Sequence, residues 1–167
     1  MNAIEYSELV LATRDALFAN IRAALPVECE MEKRFIQTGV QSQDSWAASL
    51  VNKDTDQVRL FVLLMKTLKS TDQARTAGAK NFKPSMQLSF ELFHDHLKGK
   101  DGDNSQTTFE SDALKLQFAI EISRSLPPKA YIEDYDINLG ILPSSRSMHY
   151  GRGEILINFR EIRYDSV

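Results

Sequence analysis

Two histidines, His94 and His96, flank Asp95. On an extended strand alternate residues share a face, so these two imidazoles could chelate one metal ion. The remaining histidine, His149, lies far along the chain, and no third ligand is identifiable. A polar strand end without a metal site is the expectation. Asp101, Asp103, Ser105 and Asp112 occupy the first, third, fifth and twelfth places of a calcium loop, but Gln106 stands where the turn needs glycine and Asp112 where a bidentate glutamate closes the site. A solvated loop is expected there. Gly151-Arg152-Gly153 lacks the spacing of a phosphate cradle and precedes a strand, not a helix, so it reads as a hairpin turn. Glu133 and Asp136 could work as an acid/base pair only inside a pocket, and without one they belong to a solvated strand. Cys29 sits between Glu28 and Glu30, whose charge opposes a thiolate, so it is expected to be a buried structural thiol. Nucleophile-elbow, His-Glu-x-x-His and Walker patterns do not occur. The expectation is therefore a non-enzymatic chain with no catalytic, cofactor or metal residues.

Composition bounds the partners. With 167 residues the chain has the length of one domain, and 1–167 reads as one, able to bury a core without staples. Hydrophobic residues make up 43% and charged residues 26%, values that suggest neither disorder nor a membrane protein. The strongest apolar run, residues 60–65, is strand-length, far below the roughly 20 residues a membrane span needs. Met1 to Glu5 carries no basic or apolar leader, which suggests synthesis inside the cell. The net charge of −3 creates no field that would drive the chain onto nucleic acid.

The elements that must position these residues are legible from periodicity. Val10, Leu17, Ile21 and Leu25 recur at helical spacing over 5–25, and Pro26 ends that helix. Val27, Cys29 and Met31 alternate with glutamates in a strand near 27–36. Residues 37–56 are polar with room for a short strand. Residues 58–65 are apolar on both strand faces, which fits a central strand or a short buried helix, with Val58, Phe61 and Val62 favouring the strand. Lys66, Lys69, Arg75, Lys80 and Lys83 face only Asp72 across 66–83, which reads as a long basic loop. Its one aromatic, Phe82, is too few for a single-strand platform, so specific nucleic-acid recognition is not expected. Pro84 then opens a strand through Met86, Leu88, Phe90 and Leu92. Residues 98–107 form a second surface loop. Phe109, Ala113, Leu116 and Ile120, with Leu114, Phe118 and Ile122 nearby, give a helix over 108–125 that Pro127 and Pro128 stop. Strands follow over 131–142 and 154–164. In the last, Ile155, Ile157 and Phe159 share one parity and Ile162 and Tyr164 the other, which suggests a β-bulge near Arg160 or a projecting end that meets a partner. Runs of neighbouring strands imply an α+β fold, a mainly antiparallel sheet with about two helices on one face.

That order and three stretches carry a resemblance: Val58-Arg59-Leu60-Phe61-Val62-Leu63-Leu64-Met65, Lys83-Pro84-Ser85-Met86-Gln87-Leu88-Ser89-Phe90-Glu91-Leu92-Phe93, and Tyr150-Gly151-Arg152-Gly153-Glu154-Ile155-Leu156-Ile157-Asn158-Phe159. From Glu5 to Tyr164 the chain resembles the tail terminator, or tail-completion, proteins of long-tailed bacteriophages. The likeness is one of architecture and not of a diagnostic motif. It implies a structural virion protein of the tail and neck. Such a subunit forms a ring, usually a hexamer, that caps the tail tube, touches tube or sheath protein, and offers a surface to the head connector. Other neck connector rings share that texture. Readings of a different class are a small metal-dependent enzyme around His94 and His96 and a nucleic-acid accessory protein using the basic loop.

Overall fold

The computed structural model describes residues 1–27, 29–35, 59–71, 81–95, 105–126, 128–141 and 148–163. The order is α1 (Ala3–Ala24), β1 (Cys29–Phe35), β2 (Arg59–Thr71), β3 (Asn81–Asp95), α2 (Ser105–Ile122), β4 (Ser125–Leu126), β5 (Ala130–Tyr135), β6 (Asn138–Ile141), β7 (Met148–Phe159) and β8 (Ile162–Arg163). The fold is α+β with a mainly antiparallel sheet, as expected. Neighbouring strands run β1-β2-β3-β7-β5-β4, with β6 paired to β7 and β8 to β3. The exception is β1, which pairs parallel with β2 from Cys29 opposite Arg59 to Phe35 opposite Met65.

Helix α1 begins where Asn2 Oδ1 accepts the backbone N–H groups of Ile4 and Glu5, while Glu5 Oε2 accepts the N–H of Asn2 at 2.8 Å. This reciprocal cap satisfies donors that the first turn cannot pair internally. The helix stops at Leu25, whose ψ of 149° is extended, because Pro26 disfavours a helical predecessor. Asn20 Nδ2 then donates to Ser123 Oγ at 2.9 Å, clasping α1 to the end of α2. Leu17 and Ile21 of α1 and Leu116 and Ile120 of α2 pack with Phe61, Leu88, Phe90 and Ile157 of the sheet in one core. Burial of this apolar layer is the main stabilising term.

Several expected boundaries shift. Val27 is exposed in the turn before β1, because the Cys29 N–H closes onto the Pro26 carbonyl and the strand starts only there. Cys29 is buried. The basic loop over 66–83 is corrected at both ends: β2 runs on to Thr71 and β3 begins at Asn81, three residues before Pro84. Ladder pairing through Thr71 opposite Lys83 holds these polar residues in strands despite their lack of apolar alternation. Residues 72–80 lie outside the described residues, as do 37–56. The loop over 98–107 ends early, since α2 starts at Ser105 and stops at Ile122, three residues ahead of expectation at each end. Its first residues, Ser105 to Thr108, are polar and gave no helical period.

The bulge near Arg160 is present. Ser85 pairs with Asn158 but Phe82 pairs with Ile162, so one extra residue lies on the β7–β8 side and Ile162 regains the buried face. Pro84 falls in the same gap, between the β7 and β8 ladders, where a missing N–H removes no bond to that side. Two more register shifts, at Lys66 in β2 and at Glu133 in β5, bend the sheet.

Candidate functional site

Gly151-Arg152-Gly153 is not a hairpin turn. It lies within β7, with Gly151 opposite Leu92 and Gly153 opposite Phe90. Both glycines face the helices and leave room that the Phe90 and Phe109 rings occupy. The segment binds no phosphate by this geometry, since it presents a strand rather than a helix N-terminus.

His94 is 2% exposed and stands directly across from His149, with ring centroids 6.4 Å apart. Tertiary pairing thus brings together two histidines that are remote in sequence. The Phe109 ring stacks on His149 at 5.4 Å, so the pair is packed under α2 instead of ending a polar strand. His96 lies outside the described residues. Among the described residues no group of three or more His, Cys, Asp or Glu side chains converges on a point where a metal could sit. Ser105 and Asp112 of the supposed calcium loop are both in α2, whose regular helix is incompatible with a loop wrapped around an ion. Among the described residues no helix is long and apolar enough to cross a membrane.

The sheet face away from the helices is polar around a small buried patch of Val62 and Phe93. Lys66 Nζ donates to Glu154 Oε1, Gln87 Nε2 donates to Glu154 Oε2 at 2.5 Å, and Thr67 Oγ1 donates to Gln87 Oε1 at 2.9 Å. Asn158 donates to Glu133, and Asp136 accepts from Asn138 and from the Glu154 backbone N–H. Glu133 and Asp136 are therefore occupied in holding β5 and β6 to β7. The Tyr150 hydroxyl donates to buried Glu91 at 3.1 Å. Burial, followed by the Glu91 charge, pushes the Tyr150 hydroxyl well above its ordinary range. It stays protonated at neutral pH and cannot serve there as a base.

A second feature lies at the sheet edge. Glu110, Ala113, Leu114 and Gln117 of α2 face Tyr135, Asp136, Ile137 and Leu139 across an open groove of about 610 Å³. Leu114, Phe118 and Ile122 follow one another at i, i+4 spacing on the outer side of α2, and the first two are 65% and 63% exposed. Leu139 and Ile141 of β6 are exposed beside them. Among the described residues β6 pairs only with β7. Sequence periodicity included Leu114, Phe118 and Ile122 in the helix but could not show that no layer covers them. An apolar total wider than one helical stripe was the available signal.

Glu121 of α2 holds Tyr135, one of the residues that line this groove. Its Oε2 accepts from Arg124 Nε at 3.0 Å and its Oε1 accepts from the Tyr135 hydroxyl at 2.6 Å. The Arg124 hydrogen bond first, then Tyr135, lowers the carboxyl from an ordinary 4.5 to about 2. Because the folded value is depressed, the tie is complete above the unfolded value near 4.5 and is lost as pH falls through about 2. Carboxyl-carbon NMR titration is expected to give a Glu121 midpoint near 2, and Arg124→Ala should return it toward the ordinary range. An ordinary midpoint in the unmodified chain would show that this clamp is not formed in solution.

No family model matches the chain, and no curated protein matches it.

Proposed function

We propose that the chain is a non-enzymatic structural subunit that assembles with further copies into a ring, in the manner of a phage tail terminator. In that role the ring, a hexamer in such proteins, caps the tail tube and joins it to the head connector within the virion. One observation carries this reading: an open groove between α2 and the segment 135–139 has Leu114, Phe118, Leu139 and Ile141 exposed in and around it. A surface that keeps contiguous apolar side chains exposed is suited to a protein partner. On the opposite sheet face Lys66 is tied to Glu154 and Tyr150 to Glu91 as structural pairs. Closed rings need two different complementary surfaces per subunit and no pocket for chemistry.

Native mass measurement and negative-stain imaging, with and without tail-tube protein, test the reading. A closed oligomer with a central opening is the expected particle, seen alone or on the tube end. A monomer under both conditions would overturn it.

A further inference from the structure

We infer that the sheet face away from the helices, at the end where β2 leads into β3, is a phosphate-contacting surface that holds double-stranded nucleic acid by its backbone without reading its sequence. This goes beyond the ring reading and does not depend on it.

Strand order assembles the surface. Leu68 pairs with Met86 of the helix-side core, so Lys69, the next residue, projects from the other face opposite Ser85. Lys83 follows Phe82, which packs on that core, and shares the outer face. Arg163 follows buried Ile162 in the same way. Arg160 stands at the bulge between buried Phe159 and Ile162, and its N–H donates to the carbonyl of Lys129 at 2.7 Å, just ahead of buried Ala130. The Lys69, Lys83, Lys129, Arg160 and Arg163 side chains are all exposed. Four stretches remote in sequence thus bring their cations to one end of the sheet.

The charge there is not cancelled by its surroundings. Segments 67–71, 81–85, 129–131 and 158–163 hold five basic residues and one acidic residue, Glu161, in a chain whose net charge is −3. The adjoining segments 72–80 and 164–167 add Arg75 and Lys80 but also Asp72 and Asp165, so by sequence they leave the balance unchanged. Lys66 is committed to Glu154, whereas among the described residues no carboxylate forms an ion pair with Lys69, Lys129, Arg160 or Arg163. A concentrated positive patch on an acidic chain attracts a polyanion locally even though the whole molecule does not.

The side chains between the cations select the partner. One cross-strand row runs Lys69-Ser85-Asn158-Tyr131, roughly 14 Å across three strand spacings. Lysine and arginine interspersed with hydroxyl, amide and phenol groups is the set that contacts phosphate oxygens. A protein partner would call for an apolar centre. The exposed large apolar side chains of these segments are Leu68, which lies on the opposite face, and Tyr131. One aromatic is not the series of stacking platforms that a single strand needs, so a duplex with its backbone outermost fits better.

Fluorescence anisotropy of the full chain with a short, labelled, mixed-sequence DNA duplex tests the surface. The unmodified chain is expected to bind at low salt, with log affinity falling against log salt at a slope of about −4, and to bind a duplex of different sequence equally well. Lys69→Glu with Arg160→Glu should weaken binding by more than about tenfold and bring the slope to about −2. Lys115→Glu, at an exposed lysine of α2, should leave the slope unchanged. The substituted side chains are exposed, so an unchanged melting temperature will separate loss of contact from loss of fold. No binding at low salt, or a slope that Lys115→Glu lowers as much as the patch variant does, overturns the proposal. Tighter binding to polyglutamate than to the duplex also overturns it and assigns the surface to an acidic protein. A chain that binds the duplex as described yet stays monomeric counts against the ring reading alone.

Discussion

Replacing Gly153 with valine is expected to cost more than about 3 kcal/mol of folding stability, the upper end for overpacking a core. A Cβ at this position would lie 1.9 Å from the backbone oxygen of Asp136 and 2.6 Å from the Phe90 ring. A flexible side chain could swing aside, but a carbonyl held in the β5–β6 crossing cannot. The Asp136 N–H donates to the Glu154 carbonyl at 3.1 Å, and the Asp136 side chain accepts from the Glu154 N–H at 2.8 Å. Any retreat of Asp136 breaks both bonds. Truncating Phe90 should therefore not rescue the valine. Gly151→Ala provides the contrast, since its Cβ would first meet Leu139 Cδ2 at 3.1 Å, the mobile end of an exposed side chain. A cost of about 1 kcal/mol is expected there. Urea unfolding midpoints measure both, and a Gly153→Val midpoint equal to the unmodified chain would contradict the β5–β7 packing.

Phe90→Ala is expected to lose about 3–5 kcal/mol, the range for emptying a buried aromatic site. The ring is 1% exposed, stacks on Phe61 with centroids 6.1 Å apart, and fills the space that Gly153 leaves. Neighbours cannot collapse into the hole, because the glycine across the ladder has no side chain to offer. Phe90→Leu should lose less, as it keeps part of the volume. The same urea experiment reads the result, with an unchanged slope confirming that the native state keeps its compactness. A loss below about 1 kcal/mol would mean that this part of the core is not sealed.

These two substitutions mark the place where sequence reading failed most sharply. A Gly-x-Gly unit reads as a turn because glycine is the default residue for tight backbone geometry. Here its smallness, and not its backbone freedom, is what the fold uses: large Phe90 and Leu92 lie opposite small Gly153 and Gly151. That complementarity exists only after β3 and β7 are adjacent. The basic residues after Met65 failed for a related reason. Lys69 and Lys83 continue the β2–β3 ladder beyond the register shift at Lys66, held by backbone pairing to the neighbouring strand, so no periodicity of their own was required.

Local physics was readable along the chain. Pro26 ended α1, the alternation of Met86, Leu88, Phe90 and Leu92 marked β3, and the parity change after Phe159 located the bulge, each because one residue and its near neighbours set the outcome. The absence of a recognisable catalytic motif was likewise a property of the sequence. Tertiary structure alone decided that His94 faces His149 and that β1 runs parallel to β2. It also decided that Leu114, Phe118 and Leu139 remain uncovered around a groove at the sheet edge. Hydrophobicity records that a side chain disfavours water but not which surface covers it, and the strand order determines where covering runs out.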